Sequence, residues 1–254
     1  MSRKGFNRNG SQGGRVSSKT SSGNLWIYGK HSALAALANP LRTVSRVIAS
    51  KNTAAELKQY LPNNVEICDD VRISAMVGKD AVHQGIAVFA TELPEIDLYE
   101  ADLGTLVVLL DQVTDPHNVG AILRSASAFG ASAVVTTERH SPSEGGVLAK
   151  AASGALEYVP YIRGGNLAET ITYLKKQGFW VAGMDAETEN SVESVKDYEK
   201  LAIVMGAEGK GLRHKTHEYC DFIVKIPMDE RQESLNVSNA AAIALWEASK
   251  RTKA

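Results

Sequence analysis

The chain has 254 residues and a mass of 27.3 kDa, with 44% hydrophobic and 22% charged residues. That length suits one or two ordinary domains with real cores, and the longest apolar run, 240–246, is far short of the roughly 18 residues that a membrane helix needs. Two cysteines, Cys68 and Cys220, cannot build a disulfide framework and fit a reducing, cytoplasmic setting; the start of the chain lacks the pattern of a secretory signal. The net charge of −1 conceals an asymmetry: residues 1–55 hold nine Lys or Arg and no acid, whereas the rest carries a net charge of −10. A basic arm on a mildly acidic body points to a polyanionic partner such as nucleic acid, against the plainer reading of a solvated tail.

Residues 1–23 are Ser, Gly, Asn, Arg and Lys with almost nothing apolar, which predicts a disordered basic tail. The segment is Arg- and Ser-rich like a transit peptide, but its glycines and missing apolar face argue against one. A small α/β unit is expected over 24–92. Its elements are a strand at 25–28, a helix over 31–38 stopped by Asn39-Pro40, a strand at 44–49, a helix over 53–60, a strand at 65–67, a helix over 69–77 and a strand at 86–90. The acidic, Pro94-containing stretch 93–104 reads as a linker. A second unit, 105–254, opens with the continuous β-branched and Leu run 105–110, typical of a strand buried on both faces of a parallel sheet. Strands at 133–137, 158–162, 180–184, 201–205 and 222–226 follow. Helices over 119–129, 146–152, 167–177 and 238–250 accompany them, giving a doubly wound α/β domain.

Ligands of open α/β sheets bind beyond the carboxyl ends of strands, and three loops there are unusual: 111–126, 206–212 and 227–238. Taken singly, their residues have ordinary explanations. Asn118 could cap the helix after Pro116, Arg124 could be a surface residue, Gly206, Gly209 and Gly211 could serve turns, and Ser234 and Ser238 could be loop and cap residues. Three such loops in one domain are harder to explain that way. Other nucleotide fingerprints fail: no G-x-G-x-x-G follows the first strand of the second unit, Lys210 precedes Gly211 rather than Ser or Thr, and G-x-S-x-G is absent. His214-x-x-His217-x-x-Cys220 lacks a fourth ligand and is interrupted by Lys215, so no metal is expected.

Asp115-Pro116-x-Asn118-x-Gly120-x-x-x-Arg124, Gly206-x-Glu208-Gly209-x-Gly211-Leu212, and Ile226-Pro227-Met228 followed by Ser234-Leu235-Asn236-Val237-Ser238 together resemble the three motifs of SPOUT-class RNA methyltransferases, in the TrmH-like (SpoU) family of 2′-O-ribose enzymes. Tyr28-Gly29, His83-Gln84-Gly85-Ile86 and Lys150-x-x-Ser153-Gly154-Ala155 extend the likeness, so that it spans about residues 25–250. Two departures are Lys210, where an acid is common, and the charged run 229–233 before Ser234.

The resemblance implies a C-terminal trefoil-knotted, parallel-sheet SPOUT domain, and before it an L30e-like α/β domain that binds RNA substrate. It implies S-adenosylmethionine as cofactor, held near Gly206, Ile226, Met228 and Leu235, and a catalytic group of Asn118, Arg124, Glu208, Ser234 and Asn236. The implied reaction methylates a ribose 2′-hydroxyl, expected on a guanosine, in 23S ribosomal RNA, by a cytoplasmic homodimer. Arg124 would act as electrostatic stabiliser of an incipient alkoxide or a neighbouring phosphate or, were its pKa depressed, as base. A tRNA ribose methyltransferase and a non-catalytic RNA-binding protein on the same fold are the alternatives. Having all five polar residues disfavours the second, and the 24–92 unit disfavours the first.

Overall fold

The computed structural model describes residues 23–139, 141–207, 209 and 211–251. The expected basic tail, apart from Gly23, therefore lies outside the described residues, as do Glu208 and Lys210.

The first unit runs β1 (Asn24–Tyr28), α1 (Lys30–Ala38), β2 (Val44–Ala49), α2 (Lys51–Glu56), β3 (Glu66–Ile67), α3 (Asp70–Val77) and β4 (Ile86–Thr91). Its four-stranded sheet has the order β1-β4-β2-β3, with β4 antiparallel to both β1 and β2, and β3 parallel to β2. Local chemistry sets the boundaries. Ser50 and Asp69 cap α2 and α3 by accepting from the N–H groups of Thr53 and Arg72, and Gly78 ends α3 at φ 112°. The helix expected over 53–60 breaks at Leu57 into α2 and a separate 3₁₀ turn, Lys58–Tyr60.

The second unit runs β5 (Leu106–Leu110), α4 (Pro116–Ala128), β6 (Ala133–Thr137), α5 (Gly146–Ala152), β7 (Tyr161–Gly164), α6 (Leu167–Lys176), β8 (Trp180–Met184), β9 (Leu201–Met205), α7 (His214–Tyr219), β10 (Phe222–Val224) and α8 (Val237–Ser249). Its six strands are parallel, in the order β10-β8-β9-β5-β6-β7. Every residue of β5 and β9 is buried, as their unbroken Leu, Ile and Val runs require. Leu106, Val108 and Leu110 pack with α4, α5 and α8 on one face; Val107 and Leu109 pack with α6 and with Leu98 and Leu103 of the linker on the other.

Two strand bounds shift, and two short elements are additional. The strand expected at 158–162 starts only at Tyr161, because Ala155–Glu157 winds into a 3₁₀ turn after Ser153 and Gly154 take left-handed backbone. The strand expected to 226 ends at Val224. Short α7 and a 3₁₀ segment, Val192–Asp197, carry too weak an apolar period to be seen in sequence. Among the described residues no helix is long and apolar enough to cross a membrane.

From β5 the chain steps outward to β6 and β7, then returns to lay β9 against the opposite side of β5. The carboxyl ends of β5 and β9 therefore flank a topological switch point, where open α/β sheets form ligand crevices.

Candidate active site

The loop after β5 is the hub of this crevice. Asp115, not Asn118, caps α4: its carboxylate accepts from the His117 N–H at 2.9 Å, with Pro116 in the first turn. Asn118 is thus released from capping, and its Oδ1 accepts from Asn236 Nδ2 at 3.0 Å. Asn236 in turn caps α8: its Oδ1 accepts from the Ser238 N–H at 2.9 Å and the Ser238 hydroxyl at 2.6 Å. One amide pair therefore joins the loop after β5 to the loop before α8.

A second tie joins the loops after β5 and β9. The Asp111 carboxylate is fully buried at the end of β5. It accepts from the Arg213 backbone N–H at 3.2 Å and from Arg213 Nε at 2.6 Å. The Asp111 N–H donates to the Met205 carbonyl at 2.8 Å. Sequence reasoning missed Asp111 and Arg213; the signal was a lone acid directly after a wholly apolar strand.

Between these ties the loop after β9 closes tightly. Ala207 and Gly211 exchange backbone hydrogen bonds at 3.0 and 3.1 Å, and Gly209 and Gly211 take φ values of 73° and 62°. A Cβ on Gly206 would run into the Gly211 backbone and come within 2.6 Å of the Leu212 nitrogen, so the position is closed to any side chain. Gly120 has a different role. A Cβ there would meet Ala151 at 2.5 Å and the Leu148 carbonyl at 2.7 Å, so this motif glycine serves the α4–α5 contact rather than a ligand.

Arg124 lies six residues beyond Asn118, about 9 Å further along α4 at 1.5 Å per residue. It is exposed, and no side-chain hydrogen bond or ion pair ties it to the described residues. Ser234 is exposed, and its carbonyl accepts from Gln232 Nε2 at 2.8 Å. Ile226 and Leu235 are half-buried, and Met228 is 37% exposed. The structure thus joins Asn118 to Asn236 directly, while Arg124 and Ser234 make no hydrogen bond to that pair among the described residues. In the charged run, Arg231 folds back on Asp229 at 2.8 and 3.0 Å, and its hydrogen bonds hold that carboxyl below its usual range.

Half-buried apolar side chains, an exposed thioether and a loop backbone closed to any Cβ fit a flat, partly apolar cofactor whose polar edge is read by main-chain groups. No group of three or more His, Cys, Asp or Glu among the described residues is arranged to hold a metal. His214 faces Glu218 at 3.4 Å instead. A cavity of about 380 Å³ lies elsewhere, between linker residues Glu92–Tyr99 and the turn from Arg163 to Asn166, and includes no residue of the three loops.

The chain is similar to known proteins. Residues 105–246 match the SpoU rRNA Methylase family, and residues 26–95 match the family described as RNA 2′-O ribose methyltransferase substrate binding. The 23S rRNA (guanosine-2′-O-)-methyltransferase RlmB of Coxiella burnetii is 35% identical over 240 residues, covering 90% of this chain and 96% of that protein. RlmB of Vibrio parahaemolyticus is 40% identical over 239 residues, covering 89% and 96%. Among solved structures, the SpoU methyltransferase AviRb from Streptomyces viridochromogenes, in complex with AdoMet, superposes with a TM-score of 0.76 at 23% identity, covering 90% of each chain, a likeness of fold. The chain belongs to the SpoU rRNA methylase family.

Proposed function

We propose that the protein transfers a methyl group from S-adenosylmethionine to the ribose 2′-hydroxyl of a guanosine in 23S ribosomal RNA. The observation that carries this reading is the double closure of the crevice: Asp111–Arg213 ties the first motif loop to the second, and Asn118–Asn236 ties it to the third. RlmB relatives matching nearly the whole chain, small unit included, favour ribosomal over transfer RNA.

When bound, S-adenosylmethionine supplies an electrophilic methyl on a sulfonium. Gly206, Ile226, Met228 and Leu235 would hold it, the glycine by admitting the backbone and the others by apolar contact. Arg124 is the cation on α4 left without a partner among the described residues, and it is assigned the substrate side of the crevice. There it stabilises charge developing on the 2′-oxygen. Asn118 and Asn236 hold each other and the starts of α4 and α8 in register, so that Arg124 is aimed by a fixed helix. Ser234 is assigned to substrate hydrogen bonding, and Glu208 to the same polar group on sequence grounds.

The implied knot belongs to this reading, supported by the return of the chain from β10 to the start of α4 through Asn236. So does a homodimer. Ile243 and Trp246 on α8 are 36% and 52% exposed, and Trp246 packs edge-on against Phe129 next to α4, leaving an apolar face for a second copy. Two cysteines outside any disulfide accord with the cytoplasm. Incubation of the protein with labelled S-adenosylmethionine and 23S RNA tests the function. One alkali-resistant dinucleotide carrying label on guanosine ribose is expected; label on a base, or in transfer RNA only, rejects the assignment.

A further inference from the structure

The two units meet in a joint that the reaction chemistry does not itself require. Arg42, just after α1, has a side chain with 0% exposure. Its Nη2 donates to Glu157 Oε1 at 2.7 Å, its Nε reaches both Glu157 oxygens at 3.0 and 3.2 Å, and its Nη1 donates to the Thr91 carbonyl at 2.7 Å. The same Nη1 faces Glu144 Oε1 at 2.5 Å, an ion contact without hydrogen-bond alignment. Glu157 also accepts from Asn39 Nδ2 at 2.8 Å, and Glu144 from the Leu93 N–H at 2.9 Å. One guanidinium thus joins the end of β4 in the small unit to Glu144 and Glu157 of the large unit, and Glu144 in turn holds the first residue of the linker.

At the other end of the joint, two sequence motifs left without a role by the chemistry meet. Gln84 Oε1 accepts from Lys150 Nζ at 2.7 Å and from the Lys30 N–H at 3.1 Å, with Gln84 itself at φ 55°. Between the two ends, the Ser32 hydroxyl donates to the Ala149 carbonyl at 2.9 Å, and one apolar cluster runs from Ile27 and Ala36 into Leu148 and Leu156. Helix α5 therefore bears the small unit on one side. On another it meets α4, so closely at Gly120 that no side chain fits. Helix α4 carries Asn118 and Arg124.

We propose that Arg42, seconded by Gln84, is a positioning residue. It locks the RNA-binding unit onto α5 at one orientation, so that bound RNA presents its ribose to Arg124. The inference rests on the proposed function above. Buried ion pairs contribute little net stability compared with apolar replacements, so a fully desolvated guanidinium spanning two units is better explained by geometry that it specifies.

The test uses full-length protein. Spin labels at Val71→Cys on α3 and Lys176→Cys on α6 sit at exposed positions, in a Cys68→Ser/Cys220→Ala background. Arg42→Ala strands two buried carboxylates and puts folding itself at risk. The deciding variant is therefore Arg42→Met/Glu144→Gln/Glu157→Gln, which removes all three charges together, alongside Gln84→Ala. One narrow inter-label distance is expected without these changes, and a broadened distribution in the triple variant. Turnover at saturating RNA should fall at least 10-fold in that variant, with RNA affinity and S-adenosylmethionine affinity each within about threefold. Gln84→Ala should give a smaller change in the same direction. A narrow, unshifted distance or unchanged turnover in the triple variant would overturn the proposal. Because the distance is read without RNA, absence of methyl transfer by the unaltered protein would reject the functional reading and leave the joint separately tested.

Discussion

Two arginines compare the crevice with the joint. Arg42 is wholly buried and bonded on every side by Glu157, Glu144 and the Thr91 carbonyl. Arg124 is exposed, with no ion partner among the described residues. Burial disfavours the Arg42 charge, but hydrogen bonds to Glu157 and the fields of both carboxylates more than offset it and raise its pKa. Burial likewise pushes the Glu144 carboxyl up, against the pull of Arg42. The same residue type is thus used internally in one place and kept available in the other. A guanidinium already saturated by the fold cannot stabilise charge on a substrate.

The largest expected effect separates the two. Arg124→Ala should lower methyl transfer about 100-fold or more, yet leave thermal unfolding and S-adenosylmethionine affinity, read by calorimetry, nearly unchanged. A variant with near-normal turnover would remove Arg124 from the site. Arg42→Ala should do the reverse to stability, costing about 3 kcal/mol or more in denaturant unfolding because two buried carboxylates lose their partner. A decrease below about 1 kcal/mol would mean that water relieves the joint.

Within the crevice, Gly206→Ala forces a Cβ against the Gly211 backbone. Overpacking of this kind costs about 1–3 kcal/mol, and cofactor affinity should fall by about 10-fold, measured by titration calorimetry. Unchanged affinity would place the cofactor away from this loop. Smaller still is a pH effect at Cys220, whose thiol lies in the field of Asp111. Burial pushes the Cys220 thiol up to about 12. Above the unfolded thiol pKa, near 9, the unfolded chain sheds a proton that the native one keeps. Stability should therefore fall by at most about 1.4 kcal/mol per pH unit until pH reaches the folded value. The effect should disappear in Cys220→Ala, as denaturant titrations at pH 8 and 10 would show. The weakest expected change comes from deleting residues 1–23. Every RNA phosphate that the arm no longer neutralises should flatten the salt slope of log K by about 0.7–0.9. Equal slopes for the full-length and shortened chains would make the basic arm a bystander.

Much of this was legible in the sequence because it rests on local signals. The runs at β2, β6, β8 and β9 and the Gly146–Ala152 helix fall where their apolar patterns place them. The motif loops after β5, β9 and β10 carry residues whose types already declare unusual chemistry. What stayed hidden depends on contacts between distant segments. Arg42 and Glu157 are 115 positions apart, and Gln84 and Lys150 are 66 apart. No periodicity links such residues, and Arg42 read singly is one more basic side chain in a basic arm. Asn118 was open to reading as a cap because Asp115, Pro116 and Asn118 are all suited to a helix start. Only the fold shows that Asp115 takes that role and leaves Asn118 to Asn236. Gly120 looked like part of a ligand loop for the same reason: its neighbour, α5, lies about 30 residues on.

The most direct measurement is methyl transfer from labelled S-adenosylmethionine to 23S RNA by the unaltered protein and by Arg124→Ala, with the labelled nucleoside identified after digestion. The expected result is 2′-O-methylguanosine at one position with the unaltered protein, a drop of about 100-fold or more with Arg124→Ala, and equal cofactor affinity for both. Methylation on a base, or equal transfer by the two proteins, would contradict the assignment of this crevice and of Arg124 within it.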